Sequence, residues 1–123
     1  MKTLIAIPTY NSNDVLLETV YSALNQSVES RVLIIDNCST DDTYKTLIKL
    51  KEKRINNLTI LKNSKNYGRV GNWNKCLEFF YDSSYSYIKF LFPGDLIEST
   101  CIEECENILE KYDNLAAVAF PYK

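Results

Sequence analysis

Histidine is absent from the 123-residue chain, and its absence removes several kinds of catalytic site. Ser-His and Cys-His nucleophilic pairs are excluded, and so is a histidine general base. The four cysteines form no Cys-x-x-Cys pair, so reduced thiols are favoured over a zinc site. The sequence therefore points away from nucleophilic hydrolases and zinc proteins.

Long apolar runs and a strong net charge are also missing. No run approaches the ~20 residues that a membrane span needs, and the N-terminus turns polar too soon for a signal peptide. A net charge of -2 and a pI near 5.2 argue against general nucleic-acid binding. We therefore expect a cytoplasmic protein that binds no nucleic acid, with peripheral attachment at the inner face of the membrane as the alternative.

The chain does contain short apolar runs that alternate with segments of helical spacing. A chain of this length supports one core, so residues 1–123 are expected to form a single domain. The runs are nearly continuous, as is typical of strands covered on both faces. They span 3–7, 31–36, 58–61, 87–92 and 116–120. The alternation predicts an α/β fold, a Rossmann-like three-layer sandwich with a mainly parallel sheet.

Two of the predicted helices are preceded by residues that resemble capping boxes. Ser39 is followed three residues later by Asp42, and Ser99 or Thr100 is followed by Glu103. These pairs predict where the second and the last helix begin.

Ligands of such sheets bind beyond the carboxyl ends of the strands, so the loops at these ends are the candidate binding segments. After the first strand, Pro8-Thr9-Tyr10-Asn11 offers a hydroxyl, an aromatic face and an amide. That set suits a nucleobase through stacking and hydrogen bonds, and a simple polar turn is the alternative.

The loop after the second strand is acidic. Asp36 lies at the strand tip, where it could accept from a base imide N–H or a ribose hydroxyl. Asp41 and Asp42 fall near the start of the next helix, where we expect them to act as capping charges.

The third and fourth loops carry an arginine and an aspartate. Arg69 stands between Gly68 and Gly71 and could face a diphosphate, the alternative being a solvated basic loop. Asp95 ends the segment Pro-Gly-Asp after the fourth strand. A carboxylate beside a diphosphate requires a divalent cation between them, whereas turn chemistry alone also explains an aspartate here.

Taken in order, four segments resemble the nucleotide-sugar-binding half of a family 2 glycosyltransferase with the GT-A fold. They are IPTYN, IIDNCSTDDT, NYGRVGNWNKCLE and YIKFLFPGDLIE. The resemblance spans essentially the whole chain and rests on the ordered set of motifs. It implies inverting transfer of a sugar from a nucleoside diphosphate sugar, most often a UDP-sugar, to an acceptor of unidentified class: a saccharide, a lipid or a protein.

The resemblance also assigns roles to particular residues. Those implied to contact the nucleotide are Pro8, Thr9, Tyr10, Asp36, Asn37 and Arg69. Asp95 is implied to bind Mg²⁺ or Mn²⁺. The family usually has a second acid at the position of Phe92 or Gly94, and this chain has none. We therefore expect metal binding that is weak without nucleotide.

The resemblance further implies that the chain is truncated relative to a full GT-A domain. The acceptor-binding half and its acidic base are not in this sequence, so whether the chain is itself an enzyme stays open. A non-catalytic interaction domain, with a homo-oligomer formed through an exposed sheet edge, is the alternative. A phosphoacceptor signalling domain is less favoured, because the first and third strands end in PTYN and LKNS rather than in acids.

Overall fold

Four strands and four helices alternate along residues 1–119, the part of the chain that the computed structural model describes. In chain order they are β1 (Thr3–Thr9), α1 (Leu16–Leu24), β2 (Arg31–Asp36), α2 (Thr43–Glu52), β3 (Leu58–Lys62), α3 (Gly68–Tyr81), β4 (Tyr87–Phe90) and α4 (Cys101–Lys111). The strands form one parallel sheet in the order β3-β2-β1-β4. The predicted α/β class with a parallel sheet is confirmed.

Helices cover both faces of this sheet. On one face, residues of α1, α2 and α4 such as Val20, Leu47 and Ile102 pack with Ile5 and Ile34 of the central strands. The predicted three-layer arrangement is therefore present. All seven residues of β1 are buried, which explains why its sequence is apolar without alternation.

On the opposite face, α3 supplies the cover. Its Cys76 is fully buried against Leu4, Ala6 and Leu33, and burial raises the pKa of the Cys76 thiol to about 12. The side chain therefore acts as a small apolar group of the core. With 14 residues α3 is also the longest helix within residues 1–119, and none of those helices combines the length and apolarity needed to cross a membrane.

The order of the strands creates a crevice at their carboxyl ends. The chain runs from β1 to β2 to β3 in one direction and then places β4 on the other side of β1. At such a reversal the connections leave the sheet toward opposite faces, and the space between them is the usual ligand site of open α/β sheets.

Two of the predicted strands are shortened or missing, whereas β1 and β3 extend past the predicted runs to Thr9 and Lys62. The run 87–92 leaves the sheet after Phe90, although the N–H of Leu91 still donates to the carbonyl of Ala6 at 2.9 Å. Residues 116–119 are not in a strand, and Phe120 lies outside the described residues. The alanine-rich run was expected to be buried on both faces. Its described residues are exposed or half-buried, so they lack the burial that would favour a place in the sheet.

Neither predicted capping box forms, because the N-cap residues of α2 and α4 make no side-chain cap bond. The predicted start of the last helix is nevertheless confirmed, since Thr100 is the N-cap residue of α4. The hydroxyl of Ser39 donates instead to Asp36, and that of Thr100 donates to Glu104. The expected capping charge is found at Asp41, whose carboxylate accepts from the N–H of Thr43 at 2.9 Å. Hydrogen bonding from the Thr43 side chain, and after it from the Thr43 N–H, holds the pKa of Asp41 below its ordinary value.

The segment Phe92-Pro93-Gly94-Asp95 is a β-turn, closed by a hydrogen bond from the N–H of Asp95 to the carbonyl of Phe92 at 2.9 Å. Proline in the second position and glycine in the third at φ +100° are the features of a type II turn. The N–H of Gly94 donates to the hydroxyl of Thr19 at 2.9 Å, which attaches the turn to α1. The turn itself therefore favours glycine at position 94.

The positive φ of Gly94 generates a stability prediction. Gly94→Ala is expected to lower the free energy of unfolding by about 1–2 kcal/mol, because a side chain is strained in that backbone region. Urea unfolding followed by circular dichroism measures the change. Asp95→Ala, at an exposed position in the same turn, is the control, and its free energy of unfolding should stay within about 0.5 kcal/mol of wild type. Equal stability of Gly94→Ala and wild type would contradict the turn assignment.

Candidate functional site

A cleft of about 620 Å³ opens at the carboxyl ends of β1 and β2, beside the start of α3. Its size lies within the range of small-molecule sites, and it occupies the crevice expected from the strand order. The residues that line it are Pro8, Thr9, Tyr10, Ser12, Asn37, Asn66, Gly68, Arg69, Asn72, Trp73 and Phe92.

Most of the residues predicted to contact a nucleotide meet in this cleft. Those that line it are Pro8, Thr9, Tyr10, Asn37 and Arg69. They come from three loops that are far apart in the sequence, and the parallel strands bring them together. Asp36 and Asp95 are not among the lining residues.

Among the residues that the first loop contributes to the cleft, Tyr10 is the exposed one. Its side chain is 43% exposed, whereas Thr9 is buried and its hydroxyl donates to the carbonyl of Ile7 at 3.1 Å. The phenol ring is therefore the group of this loop that is free to stack on a ligand.

Asn11 was expected to offer its amide to a ligand, but the structure uses that amide inside the protein. Its Oδ1 accepts from the N–H groups of Thr40 at 2.8 Å and Asp41 at 3.3 Å, and its Nδ2 donates to the Thr40 hydroxyl at 3.0 Å. Asn11 has a φ of +45°, a conformation that asparagine tolerates better than most residues. Its role is to tie the loop after β1 to the loop after β2.

Asp36 is fully buried beneath the loop that follows β2. One carboxylate oxygen accepts from the N–H of Ser39 at 3.0 Å, and the other accepts from the Ser39 hydroxyl at 2.5 Å. Direct contact between Asp36 and a ligand would therefore require the Ser39 segment to move. As placed, the side chain holds the shape of the loop.

Arg69 differs from the lysines of the same segment in its contacts, because each of those lysines lies near an aromatic ring. The Nζ of Lys62 lies 4.3 Å from the ring centre of Tyr44, and those of Lys65 and Lys75 lie 5.3 Å and 4.8 Å from that of Tyr67. Arg69 is exposed and lines the cleft. Of the basic residues in this segment, Arg69 is thus the one placed to meet a ligand.

Two aromatic residues of the cleft were not predicted. Trp73 of α3 and Phe92 after β4 have ring centres 5.5 Å apart, and Phe92 also lies 6.3 Å from Phe90. Both belong to segments already singled out by the sequence, but their spacing of 19 positions carries no local signal. Phe92 is 38% exposed, which for a large apolar side chain beside two strand tips is a sign of a binding surface.

The charge of the cleft is simple. Among residues 1–119, Arg69 is the one charged residue that lines it, and the others are neutral polar, aromatic or apolar groups. Asp95 is exposed on the turn after β4, and no cluster of three or more acidic, cysteine or histidine side chains that could hold a metal occurs within residues 1–119. One carboxylate fits a divalent cation only if a ligand supplies further oxygens, such as those of a phosphate.

Relatives of known description are transferases. The chain is 33% identical over 117 residues to the Escherichia coli UDP-Glc:alpha-D-GlcNAc-diphosphoundecaprenol beta-1,3-glucosyltransferase WfaP, covering 89% of this chain and 44% of the relative. It is 32% identical to the putative teichuronic acid biosynthesis glycosyltransferase TuaG of Bacillus subtilis, covering 76% of this chain and 37% of the relative. The chain thus spans less than half the length of these relatives.

Solved structures share the fold. The structure of S. aureus TarS residues 1–349 in complex with UDP has a TM-score of 0.78 at 22% identity, covering 99% of this chain and 38% of that one. TarS in complex with UDP-GlcNAc has a TM-score of 0.76 at 21% identity, with 99% and 37% covered. At these identities the likeness establishes the GT-A fold.

The family model described as Glycosyl transferase family 2 matches residues 4–123, which is nearly the entire chain. The ordered loops, the parallel sheet and the cleft at its switch point agree with that match. The chain belongs to glycosyl transferase family 2.

Proposed function

We propose that this chain is the donor-binding part of a glycosyltransferase. Its ligand is a nucleoside diphosphate sugar, namely a UDP-sugar, from which the enzyme transfers the sugar. The observation that carries the proposal is the composition of the cleft, where an exposed tyrosine and an arginine meet and no acidic residue of the described part of the chain lines the wall. The donor has the matching parts, a flat base and an anionic diphosphate. UDP and UDP-GlcNAc bind to TarS, which has the same fold.

The nucleoside end of the donor is assigned to the first loop. Tyr10 offers an exposed ring for stacking, and Pro8 and Thr9 form the buried surface beside it. Asn37 closes this end of the cleft at the tip of β2. In this assignment Asp36 supports the nucleoside site from beneath, through its bonds to Ser39.

The diphosphate is assigned to Arg69. Guanidinium groups bind phosphate oxygens through two parallel hydrogen bonds, which also set the orientation of the ligand. Because Arg69 is exposed and the neighbouring lysines lie over aromatic rings, the arginine is free to make these bonds.

A divalent cation is assigned to Asp95. Mg²⁺ or Mn²⁺ held by this carboxylate and by two phosphate oxygens would neutralise the charge that develops on the departing nucleoside diphosphate. Asp95 lies three residues after Phe92, which lines the cleft, and their turn is anchored on α1. A mannosyltransferase of Pyrobaculum calidifontis, solved with GDP-Man and Mn²⁺, shares the fold at a TM-score of 0.57, over 63% of this chain and at 22% identity.

Transfer with inversion needs a base that deprotonates the acceptor hydroxyl. No acidic residue lines the cleft within residues 1–119. We therefore propose that this chain binds the donor, and that other parts of the enzyme bind the acceptor and supply the base. The relatives, more than twice as long as the matched region, have room for those parts.

Binding of UDP in the presence of Mn²⁺ is the first expected outcome. At about 100 times its Kd, a ligand that binds only the folded state stabilises it by about 2.7 kcal/mol, which raises the thermal midpoint by several degrees. Differential scanning fluorimetry with UDP, GDP and ADP, with and without Mn²⁺, measures the shift. Asp95→Ala should remove the Mn²⁺-dependent part, whereas Asp82→Ala, an exposed aspartate after the far end of α3, should not.

An absence of any shift with all three nucleotides and Mn²⁺ would overturn the proposal. That result would favour a non-catalytic interaction domain instead. In that case β3 and β4, the two edge strands of the sheet within residues 1–119, are the strands available for a partner, and the oligomeric state of the chain would be the next measurement.

Arg69→Ala should weaken UDP binding by roughly ten- to a hundredfold, because hydrogen bonds to charged groups contribute about 1.5–3 kcal/mol. Uridine, which has no phosphate, should lose little affinity. Trp73 is the chain's one tryptophan and lines the cleft, so quenching of its fluorescence measures the dissociation constants of UDP and of uridine. Lys65→Ala is the matched control. An equal loss for UDP and uridine would contradict the assignment of Arg69 to the diphosphate.

A further inference from the structure

Asn63, the residue after β3, makes two hydrogen bonds to other asparagines. Its Nδ2 donates at 3.0 Å to the Oδ1 of Asn37 and at 3.0 Å to the Oδ1 of Asn72. The exposed fractions are 9% for Asn63 and 2% for each partner. Both hydrogens of this amide are used and the group is shielded from water. Losing them would leave the buried Oδ1 of Asn72 without a donor and the Oδ1 of Asn37 with one donor in place of two.

Asn72 connects α3 to the sheet. Its Nδ2 donates to the carbonyl of Ile35 at 3.0 Å, while its Oδ1 receives the bond from Asn63. The side chain is thus held in one orientation by a strand on one side and by the end of another strand on the other side. This fixes the second turn of α3 against β2.

Asn37 connects the same network to the segment that leads into α3. Its Oδ1 also accepts from the N–H of Tyr67 at 3.0 Å, and its Nδ2 donates to the Oδ1 of Asn66 at 3.0 Å and to the carbonyl of Gly68 at 3.1 Å. The donating and accepting capacity of the Asn37 amide is therefore fully used within the protein. Although Asn37 lines the cleft, its amide holds the loop in place.

We propose that Asn63 and Asn72 are positioning residues of the nucleotide-binding cleft. Together with Asn37 they form an amide network that sets the first two turns of α3, and this part of the helix carries Arg69 and Trp73 into the cleft. The inference rests on the proposed function. It assigns to Asn63, which is not a cleft-lining residue, an effect on nucleotide affinity.

The chemistry of the network explains why amides occupy these positions. Each bond needs a donor and an acceptor on neutral groups in a buried space, and an amide supplies both without charge. A carboxylate at position 63 would have the same size and shape. It would place negative charge against the two amide oxygens and could donate to neither.

Asn63→Asp therefore tests the inference, with Asn57→Asp as the matched control. Asn57 is a half-buried asparagine at the opposite end of β3, and its Nδ2 donates to the carbonyl of Ser30 at 2.9 Å. Both substitutions remove amide donors, so both should lower the urea midpoint. Only Asn63→Asp should shift the fluorescence emission maximum of Trp73, whose ring lies 5.5 Å from that of Phe92. Only this variant should also bind UDP at least tenfold more weakly than wild type. Affinity and emission are measured under conditions in which the unfolding curve of each variant shows that it is folded.

Wild-type affinity and emission in folded Asn63→Asp would overturn the inference, as would equal effects in Asn57→Asp. If Asn63→Asp does not fold, Asn63→Ser, which removes the amide donors without adding charge, is measured with the same expectations. Failure of the proposed function is distinguishable, because it appears as a wild-type chain that does not bind UDP. The Trp73 emission of the variants then still reports whether the network sets the position of α3.

Discussion

The parallel pairing of β1 with β2 is the interaction on which the cleft depends. The register runs from Leu4 opposite Arg31 to Thr9 opposite Asp36, so the two strands end at the same level. The ladder continues past the strands, because the N–H of Asn37 donates to the carbonyl of Thr9 at 2.8 Å. Main-chain hydrogen bonds thus bring the loops after the strands side by side before any of their side chains is considered.

Side-chain amides then hold these loops in shape. Asn11 ties the loop after β1 to the loop after β2, and Asn37 with Asn63 ties the end of β2 to the end of β3 and to α3. Amides serve this purpose because they donate and accept without charge. Because these amides are neutral and the Asp36 carboxylate lies buried beneath its loop, Arg69 is the charged side chain among the described residues that line the cleft.

Part of this arrangement could be predicted from the sequence. Runs such as RVLIID are strands because their apolar residues are continuous, and the carboxyl ends of parallel strands pointed to Tyr10 and Arg69. Other features could not be predicted. The capping pair of Ser39 and Asp42 failed because the Ser39 hydroxyl has a closer partner in Asp36, and residues 116–119 are not in a strand because apolar composition alone does not supply burial.

By itself the sequence determined the alternation of strands and helices, the family, and the loops that face one another. These follow from local periodicity and from the rule that consecutive parallel strands present the same ends. Only the tertiary structure decided which side chains of those loops are free to meet a ligand. Tyr10 and Arg69 are accessible, while Asp36, Asn11 and Asn37 have their hydrogen-bonding groups bound within the protein. That distinction depends on partners distant in the chain, which local sequence patterns do not encode.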